Sequence, residues 1–391
     1  MSDLTAFHQQ LTAWRHYLHT VPETEFDLVK TPDFVAEKLQ AMGITVYRGI
    51  GKTGLVGVLK KGTSDRSIGL RADMDALDIL ETSTHDYVSK TKGKMHACGH
   101  DGHTATLLGA AQLLQENYDF DGTVYFVFQP DEEHGQGARA MIADGLFERF
   151  PMQEIYGAHN MPGIPVGKFA TCVGGIMGSE DNFIIRIRGK GTHAARPHMG
   201  KDPMVIAAEI ITSLQTIVSR NVDPSLSAVI SCTEIHTDGV RNVIPANVEI
   251  RGDTRSYDPE VQALLEKRMR IICNSICAMH EAECEFIYTH EYSPTVNHAR
   301  ETAYAVEAAN QVFGSENVDP NTLPMMISED FGAFLEKVPV AFVFIGNGCE
   351  KDGKGYLPLH SSSYDFNDDI LITGATFFAE LASHRLLKNS Q

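Results

Sequence analysis

The sequence predicts an α/β domain interrupted by a smaller α+β domain. Three observations predict it. Short apolar runs alternate with amphipathic helical repeats from the N-terminus to Asn160. The texture changes near Gly174-Gly175 and Gly178, and from there to Tyr292 two long helical repeats lie among strands. From Thr295 onward the alternating texture returns. The expected domains are therefore 1–178 with 293–391, and an insert at 179–292.

Each element has a local cause. Leu4, Phe7, Leu11, Trp14 and Leu18 recur at spacings of three and four, which predicts a helix over 3–19. A second helix is expected from Pro32 to Met42, with Phe34, Val35 and Leu39 apolar and Gly43 as the stop. The runs 44–47, 55–60 and 67–74 read as strands. Helical spacing follows Gly102, then a buried strand at 123–130, a helix at 136–150 and a strand at 154–160. In the insert, strands at 183–188, 226–236, 243–251 and 284–292 surround helices at 201–220 and 259–282. A buried strand at 340–346 and a helix at 370–386 complete the chain.

The 391 residues exceed what one core usually supports, so one or two domains are expected. Thirty-three Lys and Arg against 51 Asp and Glu leave a net charge of −18. That balance argues against nucleic acid or an anionic membrane surface as the main partner. It also requires a locally basic pocket for any anionic substrate. No apolar run approaches the roughly 20 residues of a membrane span. The opening MSDLTAFHQQ has no basic region followed by an apolar one, so no secretory signal is expected. Seven scattered Cys do not form a disulfide framework, and reduced thiols in a cytoplasm are the expectation.

Three patterns are decoys. Gly49-x-Gly51-x-x-Gly54 matches a dinucleotide fingerprint, but a strand follows it where a helix is required, so a hairpin turn is expected. Gly51-Lys52-Thr53 lacks the earlier P-loop glycine, whose place is taken by Val46. Cys273 and Cys277, four apart on a helix, read as core packing.

The chemistry concentrates elsewhere. MHACGHDGH (95–103) packs His96, Cys98, His100 and His103 into one glycine-broken segment. Cys98-x-His100 can bring a thiolate and an imidazole to one metal where the backbone turns, yet such a pair alone also fits a loop histidine beside a buried thiol. QPDEE (129–133) follows a buried strand, so Glu132 and Glu133 emerge at its end in different directions. One carboxylate can then bind metal while its neighbour acts as a base. His159 ends another apolar strand, and His360 lies in a loop near the C-terminus. Cys98, His100, Glu133, His159 and His360 together exceed one four-coordinate site and suit two metals sharing a bridge.

These segments resemble the M20 metallopeptidase family in its amidohydrolase branch, which includes N-acyl-amino-acid amidohydrolases, hippurate hydrolases and plant auxin-conjugate hydrolases. The resemblance covers nearly the whole chain: HTVPETEF (19–26), RADMDAL (71–77), HACGHDGH (96–103), QPDEE (129–133), GAHNMP (157–162), GTHAARPHMGKDP (191–203), NVIP (242–245), SEDFG (328–332) and LHSSSYDF (359–366). It implies that Cys98, His100, Glu133, His159 and His360 are metal ligands and Glu132 the general base. His100 and Glu133 would serve one ion and His159 and His360 the other, with Cys98 or a water between. His193, in a loop of the insert, would assist the transition state from the partner subunit of a dimer. Asn242 and Arg255 would lie near the substrate carboxylate, and Asp73 or Asp75 would orient a ligand through a hydrogen bond.

The fold so implied is a catalytic α/β domain with a dinuclear metal site, interrupted by an α+β dimerisation and lid domain. The implied cofactors are two divalent ions per subunit, zinc, manganese, cobalt or nickel. The implied partners are a small N-acyl amino acid and a second copy of the chain, with no nucleic acid and no membrane. Two departures bear on substrate preference: Asp78 replaces the usual proline after RADMDAL, and Asp131 a small residue before the paired glutamates. Rival readings are a dipeptidase or aminobenzoyl-glutamate-type hydrolase on the same scaffold, and a metal- or ligand-binding protein without catalysis.

Overall fold

The computed structural model of the chain describes residues 2–351 and 353–387. The chain divides into two compact units. One comprises Met1–Ile176, Val296–Leu323 and Asp330–Gln391, the other Met177–Thr295 and Pro324–Glu329. Residues 324–329 stand apart from the sequence in which they are embedded because they bond to the insert. Gly178 N–H donates to the Ile327 carbonyl at 2.9 Å, and the Arg255 guanidinium to Ser328 Oγ at 2.7 Å.

The larger unit is built on an eight-stranded mixed sheet. Its middle strands, Gly122–Gln129, Ser67–Asp73, Ile155–Pro162 and Val340–Gly348, pair in parallel in that order. Every residue of Gly122–Gln129 and Val340–Gly348 is buried. Continuous burial is what a parallel strand covered on both faces requires, and it explains the unbroken apolar runs. The helix His100–Glu116 lies against Leu371–Arg385 and the first helix, Ser2–Thr20. Gly109 permits that approach, since a Cβ there would sit 3.0 Å from Ala375 Cβ and 2.9 Å from Leu11 Cδ1. The outer strands Thr45–Ile50 and Gly54–Lys61 form an antiparallel hairpin. Gly51 and Lys52 at its tip have φ of 62° and 72°, so the glycine pattern there serves a turn.

The smaller unit has a four-stranded antiparallel sheet, ordered Ala228–Thr237, Asn247–Ser256, Glu180–Arg188, Glu283–Tyr292. The helices Pro203–Arg220 and Pro259–Met279 cover one face of it. Each helix begins with proline after an aspartate whose side chain accepts the first free N–H groups. Cys273 and Cys277 are buried in this core, as packing residues.

Three local expectations change. The helix expected over 136–150 is two, Gly137–Ala143 and Leu146–Arg149, broken at Gly145 with φ 81°. The strand expected over 243–251 breaks before Asn247, because Pro245 has no N–H to give the ladder. The freed piece, Val243–Ile244, pairs with Thr192–His193 in a two-stranded ribbon, so His193 is a ribbon residue and not part of an open loop.

Candidate metal centre

The parallel strands deliver the site at their carboxyl ends, where such sheets open to ligands. Asp73 ends one strand, Pro130–Glu133 follow the next, and His159 lies near the end of the third. Cys98 and His100 flank Gly99, whose φ of 95° turns the chain into the helix that His100 begins. A Cβ at Gly99 would lie 2.5 Å from Asn160 Oδ1 and 2.8 Å from the Tyr364 hydroxyl. Asp131 and His360 both hold positive φ, 51° and 64°, a region uncommon for residues with a side chain. Aspartate tolerates it better than most, which suits Asp131 to the turn before Glu132.

Five of the expected side chains converge. Cys98 Sγ is 3.4 Å from His159 Nε2. His159 Nδ1 donates to the Asn160 carbonyl at 2.7 Å, which leaves the Nε2 lone pair facing the thiol. His100 Nδ1 donates to the Asp75 carbonyl at 2.9 Å, so its Nε2 faces Glu133 Oε1 at 3.8 Å and Glu132 Oε2 at 3.9 Å. His360 Nε2 is 3.4 Å from Glu133 Oε2. Donor atoms of Cys98, His100 and His159 lie within 4.8 Å of one another, as do those of Cys98, Glu133 and His360. The two sets share the cysteine. Donor atoms of His100, Glu132 and Glu133 form a further such set, so His100 lies near both His159 and Glu133.

The donor set fits divalent cations. His100 Nε2 and Glu133 Oε1 are shielded from water and have no hydrogen-bond partner, an arrangement a cation would complete. Burial disfavours charge on His100, yet Asp73, Asp75 and Glu133 outweigh it and raise its pKa to about 10. Burial raises Glu133 to about 7, against the pull of His100. Burial also keeps His159 neutral, with its pKa well below the usual value. Thiolate and imidazoles suit zinc, and the carboxylate also admits manganese.

Glu132 differs from its neighbour. One oxygen faces His100, and the other accepts the Asp330 N–H at 3.4 Å. Asp75 binds the loop itself: its Oδ2 accepts the Glu133 N–H at 3.1 Å. Asp73 Oδ2 lies 3.8 Å from His100 Nε2. Its Oδ1 meets His103 Nδ1 at 2.6 Å and its Oδ2 meets Arg71 Nη1 at 2.7 Å. Arg71 also donates to Gln129 and Asp330, and His103 Nε2 reaches Asn160 Oδ1 at 2.6 Å. The roles of Arg71, His103, Gln129, Asn160 and Asp330 escaped the sequence reading. His103 alone carried a signal, three residues after His100 and hence one turn along the same helix face.

A second buried network lies beside the first. His19 meets Asp101 at 2.8 Å and Glu81 at 3.3 Å. Arg15 holds Asp368 with two nitrogens, at 2.7 and 2.9 Å, and Asp365 at 3.0 Å. The first helix therefore ties the segment after His100 to the segment after His360.

The insert residues lie in the smaller unit. His193 and Asn242 are exposed on the ribbon, and His193 Nδ1 accepts the Ala195 N–H at 3.1 Å. The Arg255 guanidinium is paired through Nε and Nη1. It pairs with Glu180 at 2.8 Å and Asp253 at 2.6 Å, besides Ser328.

The profile of peptidase family M20/M25/M40 matches residues 69–384. A hippurate hydrolase of Campylobacter jejuni is 44% identical over 368 residues, 94% of each chain. Thermostable carboxypeptidase 2 of Saccharolobus solfataricus is 39% identical over 373 residues, 94% of this chain and 93% of that one. The crystal structure of a Bacillus subtilis dinuclear metal binding peptidase from the M20 family is similar with a TM-score of 0.84 and 32% identity, covering 98% of this chain and 99% of that one.

Proposed function

The chain belongs to peptidase family M20/M25/M40, and we propose that it cleaves the amide bond of N-acyl-L-amino acids to a carboxylate and a free amino acid. It is a metal-dependent hydrolase. The observation that carries the substrate reading is the likeness to a hippurate hydrolase across 94% of the chain, joined to a site that keeps a base beside its metal donors. We assign Cys98, His100, Glu133, His159 and His360 to two divalent cations, zinc or manganese being the best matches to the donors.

When bound, such a pair polarises the amide carbonyl and lowers the pKa of water toward neutrality. Glu132 takes a proton from the attacking water and delivers it to the leaving nitrogen. The Asp330 N–H donates to one oxygen of Glu132 and steadies it. Asp75 holds His100 and the Glu133 backbone, which sets the direction of both. His193 is assigned the oxyanion, for which a lost donor typically costs about a hundred- to thousandfold in rate. The chain acts as a homodimer through the inserted domain, 179–292, with His193 serving the partner's site. Exposure of His193 on the ribbon supports that role.

A second reading, hydrolysis of peptides with a free carboxyl end, is favoured by the likeness to a carboxypeptidase. A metal-reconstituted sample assayed on N-benzoylglycine, N-acetyl amino acids, aminobenzoyl-glutamate and dipeptides separates the two. At least tenfold higher kcat/KM on N-acyl amino acids is expected. Faster cleavage of dipeptides would establish the peptidase reading instead.

A further inference from the structure

The Tyr364 side chain lies wholly buried in the core of the larger unit, four residues after His360. A buried phenol needs a polar partner for its hydroxyl. That partner is Asn160, whose Nδ2 donates to the Tyr364 oxygen. On its other side the Asn160 amide oxygen meets His103 Nε2 at 2.6 Å. The Asn160 main-chain carbonyl accepts from His159 Nδ1 at 2.7 Å. Asn160 is thus held at three points, and one of them orients the ring that faces Cys98.

The hydroxyl also lies against the turn between Cys98 and His100. The Tyr364 oxygen and Asn160 Oδ1 leave no room for a side chain at Gly99, where a Cβ would meet them at 2.8 and 2.5 Å. The loop on the far side is closed as well. The Tyr364 N–H donates to the Ser361 carbonyl at 3.0 Å, and the His360 N–H to the Ala97 carbonyl at 2.8 Å. Hydroxyl and amide therefore fill the space between three segments: the turn with Cys98 and His100, the strand end with His159, and the loop with His360. Metal donors must be held within about 0.5 Å of working geometry by the groups behind them. Without the hydroxyl the Asn160 amide loses one of its two side-chain partners and can turn.

Resting on the assignment of these donors to divalent cations, we infer that Tyr364 is a positioning residue of the metal centre, which acts through Asn160 to hold His159 against Cys98. Its ring serves the core and its hydroxyl serves the site.

Tyr364→Phe removes the hydroxyl and keeps the ring. Cobalt(II) is the probe, because its visible absorption reports donor geometry and its near-ultraviolet charge-transfer band reports a bond to sulfur. Tyr364→Phe is expected to weaken cobalt binding about 10- to 100-fold in chelator competition and to shift both bands at saturating cobalt. Asn160→Ala should do the same, and the double variant should lose no more than the greater single loss. A residue that only supports the fold would lower the thermal stability of the metal-free chain and leave affinity and bands as in wild type. A wild-type chain that binds no cobalt, or shows no sulfur band, removes the donor assignment and the inference with it. Wild-type binding with that band, and unchanged affinity and bands in Tyr364→Phe or additive losses in the double variant, overturns the inference alone. If Tyr364→Phe does not fold, unchanged affinity and bands in Asn160→Ala overturn it equally.

Discussion

His103 Nδ1 lies 2.6 Å from Asp73 Oδ1, and both side chains are buried behind the candidate ligands. The contact joins the end of a central strand to the helix that begins at His100. Through Asn160 the same imidazole reaches the residue after His159. One ring therefore indexes two of the candidate metal donors against the sheet.

His103→Ala should weaken divalent cation binding about 10- to 100-fold, as loss of a partner behind metal ligands commonly does. It leaves a buried oxygen of Asp73 unpartnered, so stability should also fall by about 2–3 kcal/mol. Chelator competition reads the first effect and urea unfolding of the metal-free chain the second. Unchanged affinity would remove His103 from any part in the site.

Glu132→Gln should lower turnover by orders of magnitude with metal content near normal, and Glu133→Gln should lower metal content as well. The two carboxylates share a strand end, yet only Glu133 lies among the thiol and imidazole donors of Cys98 and His360. Metal analysis beside kcat distinguishes them. Metal lost in the first variant and kept in the second would reverse the roles.

The His19 network should make stability depend on alkaline pH. Burial disfavours the charge on His19, but Asp101 and Glu81 prevail and raise its pKa to about 9. The folded value exceeds the unfolded one of about 6.5, so the contribution is full below about 6.5 and fades as pH rises through about 9. The shift corresponds to on the order of 3 kcal/mol. Urea unfolding of wild type and His19→Gln from pH 6 to 10 should show a gap that narrows over this window. A gap independent of pH would mean that the charge on His19 plays no part.

Mixed chains test the assignment of His193. Glu132→Gln and His193→Ala chains are each expected to be inactive. Allowed to exchange subunits, they should recover part of the activity if His193 serves the partner, because one heterodimer site then has both groups. Heterodimers shown to form without recovery would place His193 in its own chain's chemistry or in none.

The sequence was most legible where chemistry and local pattern coincide. Cys98, His100, Glu133 and His159 each occupy a strand end or a glycine-marked turn, His360 lies in a loop, and the structure brings their donor atoms into overlapping sets. The strands 122–129 and 340–348 were legible because parallel strands buried on both faces must be apolar throughout. The distances between these donors were not legible. They depend in part on the positive φ at Gly99 and His360, beside the contacts of Cys98 with His159 and of His360 with Glu133.

By itself the sequence determined the α/β class, the strand-end segments, five candidate metal-donor residues and the adjacency of Glu132 and Glu133. Tertiary structure alone decided which donors lie near the thiol, that Asp73 meets Arg71 and His103, and that Arg255 is already paired. The physical reason is that local pattern reports what a residue can do. Whether its charge is still available depends on partners that are far off in the chain, such as Glu180 for Arg255, and these become neighbours only when the sheet closes.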